Sequence, residues 1–209
     1  MVLLIGVCGK TASGKTSIAR EICKQLTALS ISNGLIQMDD MYRELTDEEH
    51  ELAVRGDYDF DQLDAFDLTE FHKQLQRAAN GQSVEFKDYN HATHKHGTTP
   101  IVLPPADIWV VEGLYLFADT QIVNNFGLKL FMDVDSDVSL IRRIRRDCIE
   151  RDRTVESVLK QYERFVKPAY EKLVEPYRNR SNMVIISKLD NQIALDMVLR
   201  FCEANVKQK

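Results

Sequence analysis

The chain has 209 residues, of which 44% are hydrophobic and 28% are charged, a composition typical of a folded globular domain and not of a disordered chain. Its net charge of -5 gives no electrostatic support for binding nucleic acid or an anionic membrane, so we expect neither partner. The cysteines form no CxxC pair, which argues against a disulfide framework and favours the reducing cytoplasm. They are Cys8, Cys23, Cys148 and Cys202.

The first predicted element is a buried strand at residues 3–7, in an apolar run that is too short for a signal peptide or a membrane span. It leads into GKTASGKT at residues 9–16, a full match to the phosphate-binding pattern GxxxxGK[ST]. Apolar residues then recur at helical spacing, at Ile18, Ile22, Leu26 and Leu29. Strand, loop and helix therefore occur in the order of a P-loop, and a glycine-rich turn without a ligand is the weaker alternative.

The residues of the loop indicate its chemistry. Gly9 and Gly14 allow a tight turn whose N–H groups surround a phosphate, beside the positive end of the following helix. We expect Lys15 to reach the terminal phosphates and the Thr16 hydroxyl to hold Mg²⁺. The predicted nucleotide-binding residues are Gly9, Lys10, Thr11, Ala12, Ser13, Gly14, Lys15, Thr16 and Ser17.

Strands and helices alternate along the rest of the chain. The further predicted strands are 34–38, 108–111, 128–132 and 183–186, and the predicted helices are 67–79, 136–148, 154–173 and 190–205. With the P-loop, this alternation predicts an α/β P-loop fold with a doubly wound, mostly parallel five-stranded sheet, with function at the carboxyl ends of its strands. Asp39 and Glu112 lie at such ends. No repeat or low-complexity linker divides the chain, so we expect a single domain over residues 1–209.

One stretch departs from the alternation. Residues 83–89 and 98–103 have the pattern of two extended arms, joined by a loop that contains His91, His94 and His96. We therefore predict a hairpin insertion at about residues 83–103. Its histidines raise two possibilities, a metal site or a substrate contact.

The remaining motifs distinguish among P-loop proteins. SKLD at residues 187–190 approaches the guanine-reading NKxD motif but lacks its asparagine, so a strand-to-helix turn with Asp190 near the helix start is the better interpretation. No DxxG stretch indicates a GTPase switch. A small-molecule kinase needs a base for the acceptor hydroxyl, and Asp39 is placed to take that proton or to organise the water shell of a metal, with Asp40 as the alternative.

A kinase also needs cations around the transferred phosphoryl group. RRIRRDCIERDR at residues 142–153 contains six arginines, and Arg143 and Arg146 lie one helical turn apart on one face. Arg151 and Arg153 follow where the helix is predicted to end. Alone, the segment is typical of a solvated charged helix. Beside a P-loop it favours a lid whose arginines close on the phosphates.

From the P-loop to Pro176 the sequence resembles the uridine kinase (uridine-cytidine kinase) family of P-loop kinases. The resemblance rests on seven segments in the family's order and at its spacing. They are GKTASGKT (9–16), MDDMYR (38–43), YDFDQLDAFD (58–67), YNHATH (89–94), VVEGLY (110–115), RRIRRDCIERDR (142–153) and QYERFVKPAYEKLVEP (161–176).

The resemblance implies a role for each matching residue. Asp39 is implied as the catalytic base, and Lys15, Arg146 and Arg151 complete the expected catalytic set. Glu112 joins Thr16 as an implied Mg²⁺ site, partly through water. The implied substrate-binding residues are Asp39, Tyr42, Asp61 (toward the ribose hydroxyls), Tyr89, His91 and His94 (toward the pyrimidine), Arg143, Arg151 and Gln161.

The histidine loop can now be interpreted. A zinc site needs three or four ligands with supporting partners, whereas this loop offers histidines alone. A histidine can stack on a base and hydrogen-bond its polar edge, so we expect His94 to contact substrate and not metal. For His96, His50 and His72 we expect plain surface positions.

Several positions depart from the family pattern. Gln62 and Leu63 replace a His-Pro pair, His91 replaces an aromatic residue, His96 replaces an arginine, Asp152 replaces a glycine, and Ser181 and Asn182 replace an Ala-Asp pair. The phosphate segments are intact. The departures affect the acceptor pocket and the lid, so they bear on the identity of the acceptor more than on the reaction.

These observations predict transfer of the γ-phosphoryl group of ATP or GTP, with Mg²⁺, to the 5′ hydroxyl of uridine or cytidine, giving UMP or CMP in cytoplasmic pyrimidine salvage. The resemblance also implies a homo-oligomer. Two alternatives remain: a related kinase for another small hydroxylated acceptor, and a nucleotide-binding regulatory switch.

Overall fold

The structure is a computed structural model that describes residues 2–187 and 191–206. In chain order its strands are β1 (Leu3–Gly9), β2 (Asn33–Gln37), β3 (Val84–Phe86), β4 (Tyr89–Asn90), β5 (Lys95–His96), β6 (Ile101–Leu103), β7 (Ile108–Glu112), β8 (Leu128–Asp133) and β9 (Met183–Ile186). Its α-helices are α1 (Lys15–Ala28), α2 (Asp47–Val54), α3 (Leu68–Ala79), α4 (Thr120–Val123), α5 (Ser136–Glu150), α6 (Val155–Gln161), α7 (Lys167–Leu173) and α8 (Gln192–Val206).

The central sheet has five strands in the order β2-β7-β1-β8-β9, and every neighbouring pair is parallel. β1 lies in the middle, with Leu3 opposite Ile108 of β7 and Ile5 opposite Leu128 of β8. Parallel strands have their carboxyl ends at one edge, so the P-loop after β1, the turn after β2 and the end of β7 meet there. The predicted α/β fold with a five-stranded parallel sheet is confirmed.

The core has one layer on each face of the sheet. On one face the apolar sides of α1 and α8 pack against the strands, with Ile22, Leu26 and Val198 buried. On the other face α3 contributes Phe71 and Leu75, which pack with Trp109 of β7. Because both faces are covered, β1 and β7 are continuous apolar runs without polar alternation.

The predicted bounds of the central strands and the helices differ from those observed by at most two residues, and the strand predicted at 183–186 matches β9 at both ends. The helix predicted at 154–173 is continuous but contains a π-helical segment, Tyr162–Val166, just before Pro168. Proline has no N–H and its ring crowds the carbonyl four residues earlier, so the wider turn accommodates it. Residues 188–190, including the predicted turn at Asp190, lie outside the described residues.

The insertion consists of two short antiparallel ladders. β3 pairs with β6, and β4 pairs with β5, opposing Tyr89 to His96. His96 therefore lies in strand β5 and not, as predicted, in a loop. The observed turn joins β4 to β5 at residues 91–94. The sequence prediction also missed α2 and α4. Of the helices in the described part of the chain, none is long and apolar enough to cross a membrane.

Candidate active site

The P-loop connects β1 to α1 through a backbone path that requires glycine at two positions. Gly9 has φ 145°, and a Cβ there would lie 2.4 Å from the carbonyl oxygen of Met132. Gly14 has φ 90° and immediately precedes the first residue of α1. The loop can therefore present N–H groups to a phosphate at the start of a 14-residue helix.

Lys15 and Thr16, the first two residues of α1, make polar contacts within the site. Thr16 Oγ1 donates to Glu112 Oε1 at 2.7 Å, and Lys15 Nζ donates to the carbonyl oxygen of Lys10 at 3.0 Å. Burial lowers the pKa of Lys15, while the nearby carboxylates of Glu112 and Asp39 oppose the shift. The hydroxyl and carboxylate oxygens form a hard, oxygen-only donor pair of the kind Mg²⁺ prefers.

A single cleft of about 1040 Å³ runs from the P-loop to the hairpin. Its P-loop end is lined by Thr11, Ala12, Gly14, Lys15, Thr16 and Ser17. Three predicted loop residues, Gly9, Lys10 and Ser13, do not line it. Lys10 points to the opposite side, where its Nζ lies 3.2 Å from Ser136 Oγ and 4.6 Å from the ring centre of Tyr170.

Asp39 lies between the two ends of the cleft. It belongs to the 3-10 turn Met38–Met41 that follows β2, and its Oδ2 is 3.9 Å from His91 Nε2. Asp40 Oδ1 instead accepts from the backbone N–H of Tyr89 at 3.4 Å, and Asp40 does not line the cleft. Burial raises the pKa of Asp40 to about 7, so of the two carboxylates Asp39 is the one available to a substrate.

The far end of the cleft is aromatic. The Tyr42 ring stacks on Phe66 with centroids 4.3 Å apart and lies 4.8 Å from Tyr89. The His94 ring stacks on Phe60 at 4.7 Å. Burial lowers the pKa of His94 to about 4, so its imidazole is neutral at neutral pH and can donate and accept hydrogen bonds.

Asp61 places a carboxylate in this aromatic pocket. It is 8% exposed, and burial raises its pKa to about 6, while the positive charge of Arg143 opposes the shift. The cap of α3 is Asp67, whose Oδ1 accepts from the N–H of Glu70 at 2.9 Å. A helix-capping role for Asp61 is therefore not needed to explain its position.

The arginine segment is organised around Asp147, which is fully buried. Its carboxylate pairs with Arg146 at 2.8 Å and with Arg143 and Arg151 at 3.4 Å each. Burial alone would raise the pKa of Asp147, but these positive charges outweigh it and lower that pKa. These three arginines are therefore held at the cleft by Asp147 and are not part of a solvated helix face.

Arg143 links the P-loop to α6. Its Nη1 donates to Thr11 Oγ1 at 3.0 Å and its Nη2 donates to Gln161 Oε1 at 2.9 Å. Arg153 donates to the same Gln161 oxygen at 2.5 Å. Arg153 and Phe60 line the cleft, although the sequence did not single them out for substrate binding. Both residues lie inside segments that resemble the family, and this position was the sequence feature that could have identified them.

The predicted substrate and catalytic residues thus share one cleft. Its lining includes Lys15, Thr16, Asp39, Tyr42, Asp61, Tyr89, His91, His94, Glu112, Arg143, Arg146, Arg151 and Gln161. The other histidines make specific contacts, which corrects the expectation of plain surface positions. His96 Nε2 lies 2.6 Å from the carbonyl oxygen of Tyr42, His50 Nε2 lies 3.1 Å from that of Thr93, and His72 lies 3.6 Å from Asp119.

Comparison with known proteins places this site in a family. The model of the phosphoribulokinase / uridine kinase family matches residues 4–194. The chain belongs to this family. It is 38% identical to the zebrafish (Danio rerio) uridine-cytidine kinase 2-B, over 94% of this chain and 77% of that protein. It is 33% identical to the uridine kinase of Leuconostoc citreum, over 99% of this chain and 97% of that protein.

Coverage differs among relatives and structures. The chain spans only 37% of the mouse (Mus musculus) uridine-cytidine kinase-like 1, to which it is 34% identical. The solved structure of a possible uridine kinase from Bacillus stearothermophilus aligns over 88% of each chain with a TM-score of 0.60 and 19% identity, a likeness of fold. The predicted resemblance to uridine-cytidine kinases is confirmed.

Proposed function

We propose that the chain is a uridine/cytidine kinase, which transfers the γ-phosphoryl group of ATP or GTP to the 5′ hydroxyl of uridine or cytidine and releases UMP or CMP. The observation that carries the proposal is the single cleft in which a P-loop, Asp39 and an aromatic pocket with a buried carboxylate follow one another. The similarity to proteins named uridine or uridine-cytidine kinase over nearly the whole chain supports the acceptor class.

The donor end fits a Mg²⁺–triphosphate complex. The backbone path at Gly9 and Gly14 leaves room for phosphate oxygens, and Lys15 supplies a cation at the start of α1. Thr16 and Glu112 would hold Mg²⁺, directly or through water. When bound, Mg²⁺ would neutralise charge on the phosphate oxygens. Arg146 and Arg151, which Asp147 holds at the cleft, are proposed to stabilise the transferred group.

The acceptor end is proposed to hold the nucleoside with its 5′ hydroxyl toward Asp39. The 5′ oxygen attacks the γ-phosphorus, the bond from that phosphorus to the β-phosphate oxygen breaks, and the hydroxyl proton passes to Asp39. The products are the nucleoside monophosphate and the nucleoside diphosphate. Asp61 accepts hydrogen bonds from the ribose hydroxyls, and Tyr42, Tyr89, His91 and His94 surround the base, with Arg143 and Gln161 nearby.

A coupled assay of diphosphate release across a panel of nucleosides tests the proposal. Turnover that requires added uridine or cytidine is the expected result. Turnover only with a different hydroxylated small molecule would reassign the protein to a related kinase. Nucleotide binding without turnover on any acceptor would favour a regulatory switch.

We further propose that residues 1–209 act as a single kinase domain in the cytoplasm, as a homo-oligomer. All four cysteines lie within the described residues as free thiols, which is compatible with a reducing compartment. Size-exclusion chromatography with light scattering measures the oligomeric state.

A further inference from the structure

The acceptor end of the cleft has a wall that no family-like segment predicted. This wall, which we call the flap, spans residues 46–57 and consists of α2 and the turn after it. α2 begins with a capping box: Glu49 N donates to Thr46 Oγ1 and Thr46 N donates to Glu49 Oε2. Residues 53–56 line the cleft.

The flap has little apolar burial to hold it in place. Ala53 is the buried residue of α2, whereas Leu52 is 41% exposed and Val54 is 69% exposed. Surface helices are stabilised mainly by packing of an apolar face. The position of the flap therefore depends on polar contacts with its neighbours.

Arg43 and His50 connect the flap to the base-binding side of the cleft. Arg43 donates to Glu49 Oε2 at 2.8 Å and to the Tyr58 hydroxyl at 2.9 Å. His50 Nε2 lies 3.1 Å from the carbonyl oxygen of Thr93, in the turn of the hairpin. Neither residue connects the flap to α6, on the opposite wall of the pocket.

The contact with α6 and the π-helical segment after it is made by one carboxylate. Asp57 Oδ1 accepts from Lys160 Nζ at 2.9 Å and from Arg164 Nη1 at 3.0 Å. Hydrogen bonding and charge from Lys160, with the charge of Arg164, lower the pKa of Asp57, so it is ionised at neutral pH. Lys160 is adjacent to Gln161, which lines the cleft and accepts from Arg143 and Arg153.

The surrounding charges and the backbone are consistent with this contact. Residues 44–64 contain nine Asp and Glu against one Arg, and residues 142–167 contain nine Lys and Arg against five Asp and Glu. The acidic segment that contains the flap and the basic segment that contains α6 therefore attract each other. The turn at Gly56, with φ 73°, lies beside α6: a Cβ there would be in ordinary van der Waals contact with Ser157 Oγ, at 3.6 Å.

We propose that Asp57 is a positioning residue for the acceptor: by holding the flap to the α6 helix, it keeps the two walls of the nucleoside pocket together. This inference rests on the proposed function. It concerns the nucleoside and not the triphosphate, because the P-loop lies at the other end of the cleft. Exposed ion pairs contribute little individually and are screened by salt. We therefore expect loss of the Asp57 contacts to raise the KM for the nucleoside modestly, and the rise to depend on ionic strength.

The first test compares Asp57→Asn with wild type in the coupled assay. At low salt the KM for uridine should rise about twofold to tenfold, as expected from losing two exposed ion pairs, with kcat and the KM for the triphosphate unchanged. At high salt the difference should shrink. Glu48→Gln is the matched control, since Glu48 is an exposed carboxylate of the same helix; its KM for uridine should equal that of wild type.

A charge exchange separates positioning from general destabilisation. Asp57→Lys alone should raise the KM for uridine further, and adding Lys160→Glu and Arg164→Glu should lower it again. If Asp57→Asn does not fold, as judged by thermal melting, Lys160→Gln with Arg164→Gln breaks the same contacts from the other side. An unchanged KM at low salt, or an equal rise for both substrates, overturns the proposal.

A second readout does not need catalysis. Without substrate, trypsin should cleave after Arg55 faster in Asp57→Asn than in wild type or Glu48→Gln, because the flap opens more often. Equal cleavage rates overturn the role of Asp57 even if uridine turnover is normal. Absence of nucleoside-dependent turnover in wild type would instead reject the proposed function, and faster cleavage would still support the flap contact.

Discussion

The two ends of the cleft are built in different ways. The phosphate end is formed by backbone that follows β1, the buried central strand of the parallel sheet, with Gly9 and Gly14 in conformations that favour glycine. The acceptor end is formed by side chains on the flap, the hairpin and the lid, which come from distant parts of the chain. Backbone geometry tolerates few substitutions, whereas side chains on short exposed elements can vary. The departures at His91 and His96 lie on the hairpin of the acceptor end, whereas those at Ser181 and Asn182 precede β9.

The comparison predicts the largest effects at the phosphate end. Lys15→Ala should lower turnover by at least roughly 10²-fold, because it removes a buried cation beside the triphosphate. Lys24→Ala is the control: it lies on the same helix but is 74% exposed and pairs with Glu21. Diphosphate release with uridine measures both rates. A near-normal rate for a folded Lys15→Ala protein would contradict the assignment.

Next in size is the effect of Asp39, where the two ends meet. Asp39→Asn should lower kcat by about 10²- to 10⁴-fold, the range for loss of a general base. Asp40→Asn is the matched neighbour, and it should lose less because its carboxylate faces the Tyr89 N–H and not the cleft. Equal losses in the two variants would remove Asp39 from the role of base.

At the acceptor end, Asp61 should set the preference for ribose. The enzyme should favour uridine over 2′-deoxyuridine by at least roughly tenfold in kcat/KM, because a buried carboxylate loses a hydrogen-bond donor with the deoxy sugar. Asp61→Ala should weaken this preference. Asp64→Ala, at an exposed position of the same acidic stretch, should retain it. No preference in wild type would reject the role of Asp61.

His94→Ala should raise the KM for uridine roughly fivefold or more, at the lower end of the loss of one base-stacking contact, and leave the KM for the triphosphate unchanged. Lys95→Ala, the adjacent exposed residue, should behave as wild type. Elemental analysis provides an independent check. About one zinc per chain that disappears in His94→Ala would indicate a metal site instead.

The same contrast explains what the sequence could predict. The P-loop, the strand ends at Asp39 and Glu112, and the helices of the core depend on contiguous motifs and apolar periodicity. The Asp57–Lys160 contact joins residues 103 positions apart, and no local pattern indicates it. α2 was missed because it has almost no apolar face, although Thr46 and Glu49 carry the spacing of a capping box.

The smallest expected effect concerns the lid, at Asp152, which replaces the family's glycine. Asp152 has φ 51°, a left-handed conformation that glycine adopts without strain and that aspartate tolerates better than most residues. Asp152→Gly should therefore raise the free energy of unfolding by at most about 1 kcal/mol, since relief of strain is partly offset by the greater freedom of glycine in the unfolded chain. For a chain of this size this corresponds to a rise in Tm of roughly 2–4 °C or less.

Two further variants separate the charge of Asp152 from its backbone conformation. Asp152→Asn removes the charge, and asparagine also tolerates this conformation, so its Tm should match wild type, whereas Asp152→Ala should lower the Tm. If Asn raises Tm as much as Gly, the charge of Asp152 and not its backbone is unfavourable, and the lid is not strained at this position.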